Sequence, residues 1–398
     1  MKIKSMSVQL IYKYFLLFTI FLLILVFFFN FTACEPRERI IKIGNQAVLS
    51  GEYKFYGEDQ LISVELAASE LSPVRIGGFE YKIGIVTKDD EGNAEKAFLV
   101  SQEMVEEDVV GVIGSTFDGT TKVSIPIYME YNIPIITPSA QKTELSKVGN
   151  NFFRVIINNK QKVENIAAFI RDEVKPQKLI LIDNGSEYSV NMVDFLKGIF
   201  DNWGVDILRR YSIKMSLEDC SVLAENLLID EPDVIFFCAK YDELADLITK
   251  VREIGLNSKF ITETIGMDDN IFILADDQQY LDGTIAVIPE PPSLAKYSED
   301  TKAVDFWNNF CDFASKMEGV DISQPGPYSP YSYDALYVIL EAMKRANSIL
   351  PEDYIDELRS ISYDGVVGHI EFDSNGDRVD PPSTVFVITD GAWVRYQK

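Results

Sequence analysis

VVGVIGSTFDGTT, Val109 to Thr121, decides the reading of this chain. The apolar run Val109 to Ile113 predicts a buried strand, and Gly114 to Gly119 a polar turn. Val123, Ile127, Tyr128 and Tyr131 then follow a helical pattern. A strand that enters a helix through small residues leaves backbone N–H groups and side-chain oxygens at the carboxyl end of a parallel sheet. Open α/β folds hold their ligands there.

Working outward, the same unit repeats. Ile40 to Leu49 predicts a first strand, followed by the polar loop SGEYKFYGEDQ and a helix carrying Leu61, Val64, Ala68 and Leu71. Tyr81 to Thr87 is a second strand, and Asn93 to Glu107 a helix leading into Val109. Ile133 to Ile136 is a short strand ending in TPSAQ; Phe152 to Ile157 is another, with a helix over Lys160 to Val174. Strands at Leu179 to Ile182, Asp206 to Ile213, Val234 to Phe237, Phe260 to Thr262 and Gly283 to Ile288 continue the alternation. Beyond Pro289 the pattern is mainly helical, over Asp300 to Met317, Tyr331 to Ser348 and Pro351 to Ile361. It closes with GHIEFDSNGDR and a strand over Thr384 to Thr389. Strands alternating with helices of this length predict βαβ units and parallel sheets, in two series on either side of about residue 157.

Composition narrows the function. The 398 residues carry 37 basic and 62 acidic side chains, a formal net charge of -25. That excludes a basic nucleic-acid footprint and argues against adhesion of the folded body to anionic lipid. Cys34, Cys220, Cys238 and Cys311 form no metal-ligand spacing, and His369 is the single histidine, so a metal cluster or a histidine-based triad has little to draw on. DSNGD, Asp373 to Asp377, lacks the length and closing glutamate of a calcium loop and reads as a hairpin turn. GxGxxG and the Walker lysine motif are both absent, so no cofactor is expected.

The amino terminus has a targeting pattern. Lys2, Lys4 and Lys13 precede an apolar run from Tyr14 to Phe29, and no acid occurs before Glu35. The run is short for a spanning helix, which needs about 20 residues, although a retained membrane anchor is the alternative reading. Phe31-Thr32-Ala33-Cys34 resembles the bacterial lipobox, with Phe31 in place of the usual leucine. The resemblance implies a lipoprotein signal peptide over residues 1–33, a lipidated Cys34 and a spacer over 34–39.

The body resembles the branched-chain amino-acid (leucine/isoleucine/valine) group of type I periplasmic binding proteins, the solute receptors of ABC importers. The resemblance rests on IKIGNQAVLSGEYKFYGEDQ, VVGVIGSTFDGTT, NIPIITPSAQKTEL, FFRVI, LILIDNGSEYS, VIFFCAKYDELADLI, YSYDALYVILEAM and GHIEFDSNGD, in family order. It implies an α/β fold of two Rossmann-like lobes with parallel sheets, joined by a three-crossing hinge. Lobe one would hold residues 40–157 and 290–377, and lobe two residues 158–289 with the final strand in 378–398. It also implies ligand-binding roles. Tyr56 matches an aromatic from the first loop. Asp118, followed by Gly119, stands where a serine usually takes the ligand carboxylate. Ser139 and Gln141 match a loop that offers a carbonyl and an N–H. Tyr188 matches a ring from lobe two, Tyr241 a second aromatic beside Lys240, and Glu263 the carboxylate that holds the ligand ammonium.

The residues themselves leave other readings open. Asp118 suits a helix N-cap, Tyr56 an exposed loop, Tyr188 the core at a helix start, and Glu263 a solvated loop charge. The expected function is a lipid-anchored, extracytoplasmic solute receptor that is not an enzyme, in the cell envelope. It would capture a small polar ligand, an amino acid or amide-like solute, for an ABC permease complex. A ligand sensor for a signalling partner and a hydrolase using Asp118 and Glu263 are the alternatives. An ionised Asp118 would oppose a ligand carboxylate, so either the ligand offers it a donor or a cation, or Asp118 turns away to cap its helix.

Overall fold

Short apolar runs become strands here because their side chains are buried on both faces, and the amphipathic segments between them become helices. The computed structural model describes residues 12–21, 38–213, 217–275, 277–289 and 301–397. Residues 12–21 form a helix, α1, inside a unit that spans Met1–Ile40. Among the described residues no helix is long and apolar enough to cross a membrane. Cys34 lies outside the described residues.

The second unit, Ile41–Lys398, holds two large sheets. The first contains β1 (Ile40–Ala47), β2 (Val74–Ile76), β3 (Phe79–Asp89), β4 (Val112–Ile113), β5 (Ile135–Thr137) and β6 (Phe152–Arg154), in the order β2-β3-β1-β4-β5-β6. β1, β4, β5 and β6 run parallel, with Gly44 opposite Val112 and Val112 opposite Ile135. Helices α2 (Lys54–Leu71), α3 (Ala94–Glu106) and α4 (Asp118–Glu130) follow β1, β3 and β4.

After β6 the chain passes through α5 (Asn159–Phe169) to the second sheet. This sheet contains β7 (Leu179–Asp183), β8 (Ile207–Ser212), β9 (Val234–Cys238), β10 (Lys259–Thr262) and β11 (Ile285–Pro289), with α6 (Glu187–Trp203), α7 (Leu217–Asp230) and α8 (Tyr241–Glu253) between them. Ile180 and Ile182 face one core while Leu179 and Leu181 face another, the period of two that a doubly covered strand requires. The chain then returns to the first body through α9 (Thr301–Ala314) and α10 (Ser329–Ala346), and α10 packs along α2. α11 (Pro351–Arg359) and the hairpin β12 (Ser362–Gly365) and β13 (Gly368–Glu371) follow. β14 (Ser383–Thr389) and β15 (Ala392–Arg395) go back to the second sheet and complete the order β15-β14-β11-β10-β9-β7-β8. The chain therefore crosses between the two bodies three times.

Two details differ from the sequence reading. The opening strand is only Val112–Ile113, because Val109 N–H turns back to the Met104 carbonyl at the end of α3 and Val110 N–H goes to Lys42. The sheets are mixed rather than purely parallel: β14 runs antiparallel to β11, and β15 antiparallel to β14. The turn joining them, Asp390-Gly391, has positive φ at both residues (51° and 72°), which fits a tight hairpin.

Candidate binding cleft

In each sheet the chain starts a strand, adds a neighbour on one side and then moves to the other side. The switch lies between β1 and β4 in the first sheet and between β7 and β9 in the second. Loops leaving the carboxyl ends of strands diverge at such a point and open a crevice. The two crevices contribute to one cavity of about 540 Å³. Tyr56, Gln141, Tyr328 and Tyr331 line it from the first body, and Lys162, Tyr188, Tyr241, Thr264 and Met267 from the second.

Local packing fixes these side chains. Tyr56 is on the first turn of α2, half-buried rather than in an exposed loop. The next residue, Gly57, lets that turn lie on the β1 exit, since a Cβ there would stand 1.8 Å from the Val48 carbonyl oxygen. One turn further along, buried Asp59 accepts N–H bonds from Gly326 (2.7 Å) and Tyr328 (2.9 Å) and the hydroxyl of Ser329. Helix α2 thus sets both rings, whose centroids are 5.4 Å apart. Burial, followed by the neighbouring Tyr56, pushes the Tyr328 hydroxyl up to about 12. The Gln141 carbonyl accepts the Asn159 N–H at 2.8 Å, which joins the TPSAQ loop to the start of α5.

Behind the second wall is a buried polar triad. Lys162 on α5 puts its ammonium 2.5 Å from Glu263 Oε2 and 2.9 Å from the Tyr188 hydroxyl, and that hydroxyl donates to Glu263 at 3.2 Å. Glu263 is 0% exposed, so it is a buried charge and not a solvated one. Burial works to lower the Lys162 pKa, but Glu263 and Tyr188 outweigh it and hold the ammonium above its usual range. Burial, then the adjacent Glu263, raises the Tyr188 hydroxyl. Cys238 sits beside Glu263, at 3.9 Å, and burial pushes its thiol well above the ordinary range.

The remaining expected residues lie elsewhere. Asp118 borders a neighbouring cavity of about 340 Å³, which it shares with Lys142, Asn159 and Tyr188. It is the first residue of α4 and does not cap it; the cap position is Phe117, and Asp118 Oδ1 accepts the Lys142 N–H at 2.9 Å. Gly119 is exposed on α4 and lines neither cavity. Ser139 is buried, with its hydroxyl donated to the Thr116 carbonyl at 2.7 Å. The structure therefore gathers Tyr56, Gln141, Tyr188 and Tyr241 around one cavity, with Glu263 one side chain behind it. It does not bring Asp118 and Glu263 together as an acid–base pair.

The model of the periplasmic binding protein family matches residues 40–392. The chain is a periplasmic binding protein. Such proteins work outside the cytoplasm, in the cell envelope, and bind solutes rather than transform them. This periplasmic binding protein is 24% identical over 329 residues to the leucine-specific-binding protein of Salmonella typhimurium, covering 82% of this chain and 83% of that one. Among solved structures, a putative branched-chain amino acid ABC transporter protein from Rhodospirillum rubrum is similar with a TM-score of 0.74 at 18% identity, covering 90% of this chain and all (100%) of the other. A solute binding protein of an ABC transporter from Rhodopseudomonas palustris, in complex with 3,4-dihydroxy benzoic acid, has a TM-score of 0.67 at 15% identity, covering 90% and 96%. These likenesses share the two-lobed type I fold.

Sequence reasoning missed Lys162 and Tyr328 in this periplasmic binding protein. Lys162 falls in NKQKVENIAAF, where a lysine among polar residues reads as solvent-facing. Tyr328 follows GP in a loop whose position depends on Asp59, 269 residues away. A signal for Lys162 does exist: it lies on the buried stripe with Val163, Ile166 and Ala167.

Proposed function

We propose that this periplasmic binding protein is the solute receptor of an ABC importer, held at the membrane by lipid on Cys34. The observation that carries the reading is the cavity between the two bodies, lined from both sides by tyrosines at the strand switch points. Its volume of about 540 Å³ suits a solute of amino-acid size. The leucine and branched-chain names of the relatives support a small carboxylic acid, an amino acid foremost, as the ligand class. Tyr56, Gln141, Tyr188 and Tyr241 would contact it directly, and Glu263 would act through Lys162 and Tyr188.

The mechanism is closure. A solute that touches Tyr56 and Tyr328 on one wall and Tyr188 and Tyr241 on the other gains its full contacts only when the walls approach. Its differential affinity then shifts the population toward the closed form. The three crossings would serve as the hinge, with residues 40–157 and 290–377 moving against 158–289 and 378–398. A permease complex would read the closed form.

The test combines native mass spectrometry of the purified protein with small-angle scattering. A panel of the common amino acids, their deaminated analogues, aromatic carboxylates and neutral amides supplies the probes. A bound solute is expected to raise the melting temperature and reduce the radius of gyration. Saturable binding with no compaction overturns the closure mechanism, and conversion of a probe to product overturns the receptor reading.

A further inference from the structure

We propose that the solute this cleft takes carries no amino group: it is a monocarboxylic acid with a branched apolar or aromatic body, and Lys162 receives its carboxylate. This rests on the receptor reading and narrows its ligand class.

The first observation is that the acceptor for a ligand ammonium is already occupied. Glu263 Oε2 holds Lys162 at 2.5 Å and Tyr188 at 3.2 Å, while Oε1 accepts from the Ile265 N–H at 3.4 Å and faces Cys238 Sγ at 3.9 Å. Oε2 already serves two donors, and Glu263 is 0% exposed and does not line the cavity, so a solute in the cavity reaches neither oxygen. The chain's own ammonium stands where an incoming one would have to bind. A ligand amine brought to this wall would meet Lys162 as a like charge, with no carboxylate released to receive it.

The second observation is what Lys162 offers. An ammonium has three N–H donors. Two are directed to Glu263 and Tyr188, and the third has no protein acceptor among the described residues. Lys162 lines the cavity even though its side chain is only 4% exposed. A buried donor of this kind, held at fixed geometry by two partners, is an anchor for one acceptor oxygen. The charged lining of the cavity comprises Lys162 and Lys240 against Asp268. Asp268 Oδ1 accepts the Asn270 N–H at 2.8 Å and is half-exposed. With buried Glu263 balancing Lys162 these charges cancel, so what the wall near Lys162 presents to a solute is the remaining lysine N–H, a donor that takes an acceptor oxygen and gives an ammonium nothing to bind.

The third observation sets the body of the ligand. Tyr56, Tyr241 and Tyr328 present rings, and Ile265, Met267 and Ile288 present apolar surface. These surround a ring or a branched chain and provide few acceptors for a polyol or a peptide.

The experiment is titration calorimetry on the full chain, first freed of co-purified solute by denaturation and refolding, with four probes. These are L-leucine, 4-methylpentanoate (leucine without its amine), benzoate, and 3-methylbutylamine, which has an amine and no carboxylate. At least one of the two acids is expected to bind tenfold or more tightly than L-leucine, and the amine is expected not to bind. In Lys162→Met, acid binding is expected to fall at least tenfold. If Lys162→Met does not fold, the order of affinities in the unmodified protein still decides. L-Leucine or the amine binding more tightly than both acids overturns the inference and leaves the receptor reading standing. Absence of saturable binding by these probes and by every other small solute in the wider panel overturns both.

Discussion

Arg154 donates from Nε to Asp377 Oδ1 at 2.8 Å, and 223 residues of sequence separate the two. Arg154 closes β6 and is fully buried; Asp377 ends the DSNGD turn. The guanidinium also donates to the carbonyls of Ala140 (2.9 Å) and Lys142 (3.1 Å), so it holds the loop that carries Gln141. Asp377 Oδ2 accepts from the Asn158 side chain at 3.2 Å, at the start of α5. One ion pair thus ties together three segments at a crossing between the bodies. Burial lowers the Arg154 pKa, and Asp377 opposes that shift.

Removing one partner leaves a buried charge, which costs about 3–5 kcal/mol. Asp377→Ala is therefore expected to lower the unfolding free energy by about that amount in urea denaturation. A double variant, Arg154→Met with Asp377→Leu, should recover much of the loss, because apolar replacements leave no orphaned charge. A loss below about 1 kcal/mol for Asp377→Ala, the value of a surface pair, would show that the ion pair does not organise the crossing.

Asp59 and Asp334 give a pH dependence with a definite sign. Both are fully buried, and burial raises each carboxyl from 3.8 to about 6, against the N–H and hydroxyl bonds that oppose it. Asp334 accepts the N–H groups of Val366 (3.0 Å) and Val367 (2.8 Å). A carboxyl with a raised folded pKa contributes stability that is complete below its unfolded pKa and is lost as pH rises through the folded one. The melting temperature is therefore expected to fall between about pH 4 and pH 6. Each group accounts for about 3 kcal/mol, as an order of magnitude. The acidic chain also repels itself more as pH rises, so the measurement is the slope of wild type against Asp59→Asn and Asp334→Asn. Equal slopes in all three would show that neither carboxyl titrates in that window.

Much of the fold was legible because periodicity and turn chemistry carry it locally. The runs LILID and VIFFC are apolar throughout and form fully buried strands. The strand Ala392–Arg395 escaped because AWVR is too short to show a period, although the Asp-Gly before it marks the hairpin. The wall of the cleft was legible where a side chain follows a strand end directly, as Tyr188 and Tyr241 do after β7 and β9. It was illegible where a long-range contact decides. Tyr328 is placed by Asp59, and the charge on Glu263 is neutralised by Lys162, 101 residues earlier in the numbering. Sequence spacing carries no trace of such pairings.

Two glycines in helices separate close approach from mere flexibility. A Cβ at Gly57 would collide with backbone at Val48, whereas a Cβ at Gly198 on α6 meets nothing within 4 Å. Gly57→Ala is expected to force the first turn of α2 off the β1 exit, costing about 1–3 kcal/mol, and to move Tyr56. Gly198→Ala should stabilise by about 0.5–1 kcal/mol, since it removes backbone freedom from the unfolded chain. Thermal denaturation of both variants checks the contrast, and solute binding should weaken in Gly57→Ala alone. Equal effects in the two would mean that the Val48 contact is not what requires glycine.

The amino terminus supplies a covalent prediction. The lipobox resemblance implies a mature chain that begins at Cys34 and carries diacylglycerol on its sulfur. Stable attachment takes more than one acyl chain. Intact-mass analysis of the protein from its native membrane is expected to show loss of residues 1–33 together with added lipid mass. Cys34→Ala should release the protein or leave the precursor uncleaved. A mature chain that starts at another residue, or retains 1–33 without lipid, rules the anchor out.

Asp118 is the residue whose role the structure changes most. In the sequence it stands where it would oppose a ligand carboxylate, and two unit charges 4 Å apart repel by about 1 kcal/mol in water and about 4 kcal/mol at an effective dielectric of 20. In the structure its carboxylate accepts the Lys142 N–H and borders the smaller cavity, and its field also reaches buried Arg154, which it stabilises in the charged form. The carboxylate is thus engaged by the Lys142 N–H, although its field also reaches Tyr328 in the tyrosine-lined cavity. Asp118→Ser is expected to change solute affinity less than threefold and to lower stability by about 1 kcal/mol, the worth of one hydrogen bond. Titration calorimetry with L-leucine and 4-methylpentanoate, against wild type and variant, makes the measurement. A tenfold gain in affinity for either acid on substitution would show that Asp118 faces the ligand carboxylate after all. Loss of all binding would make it a direct acceptor from the solute.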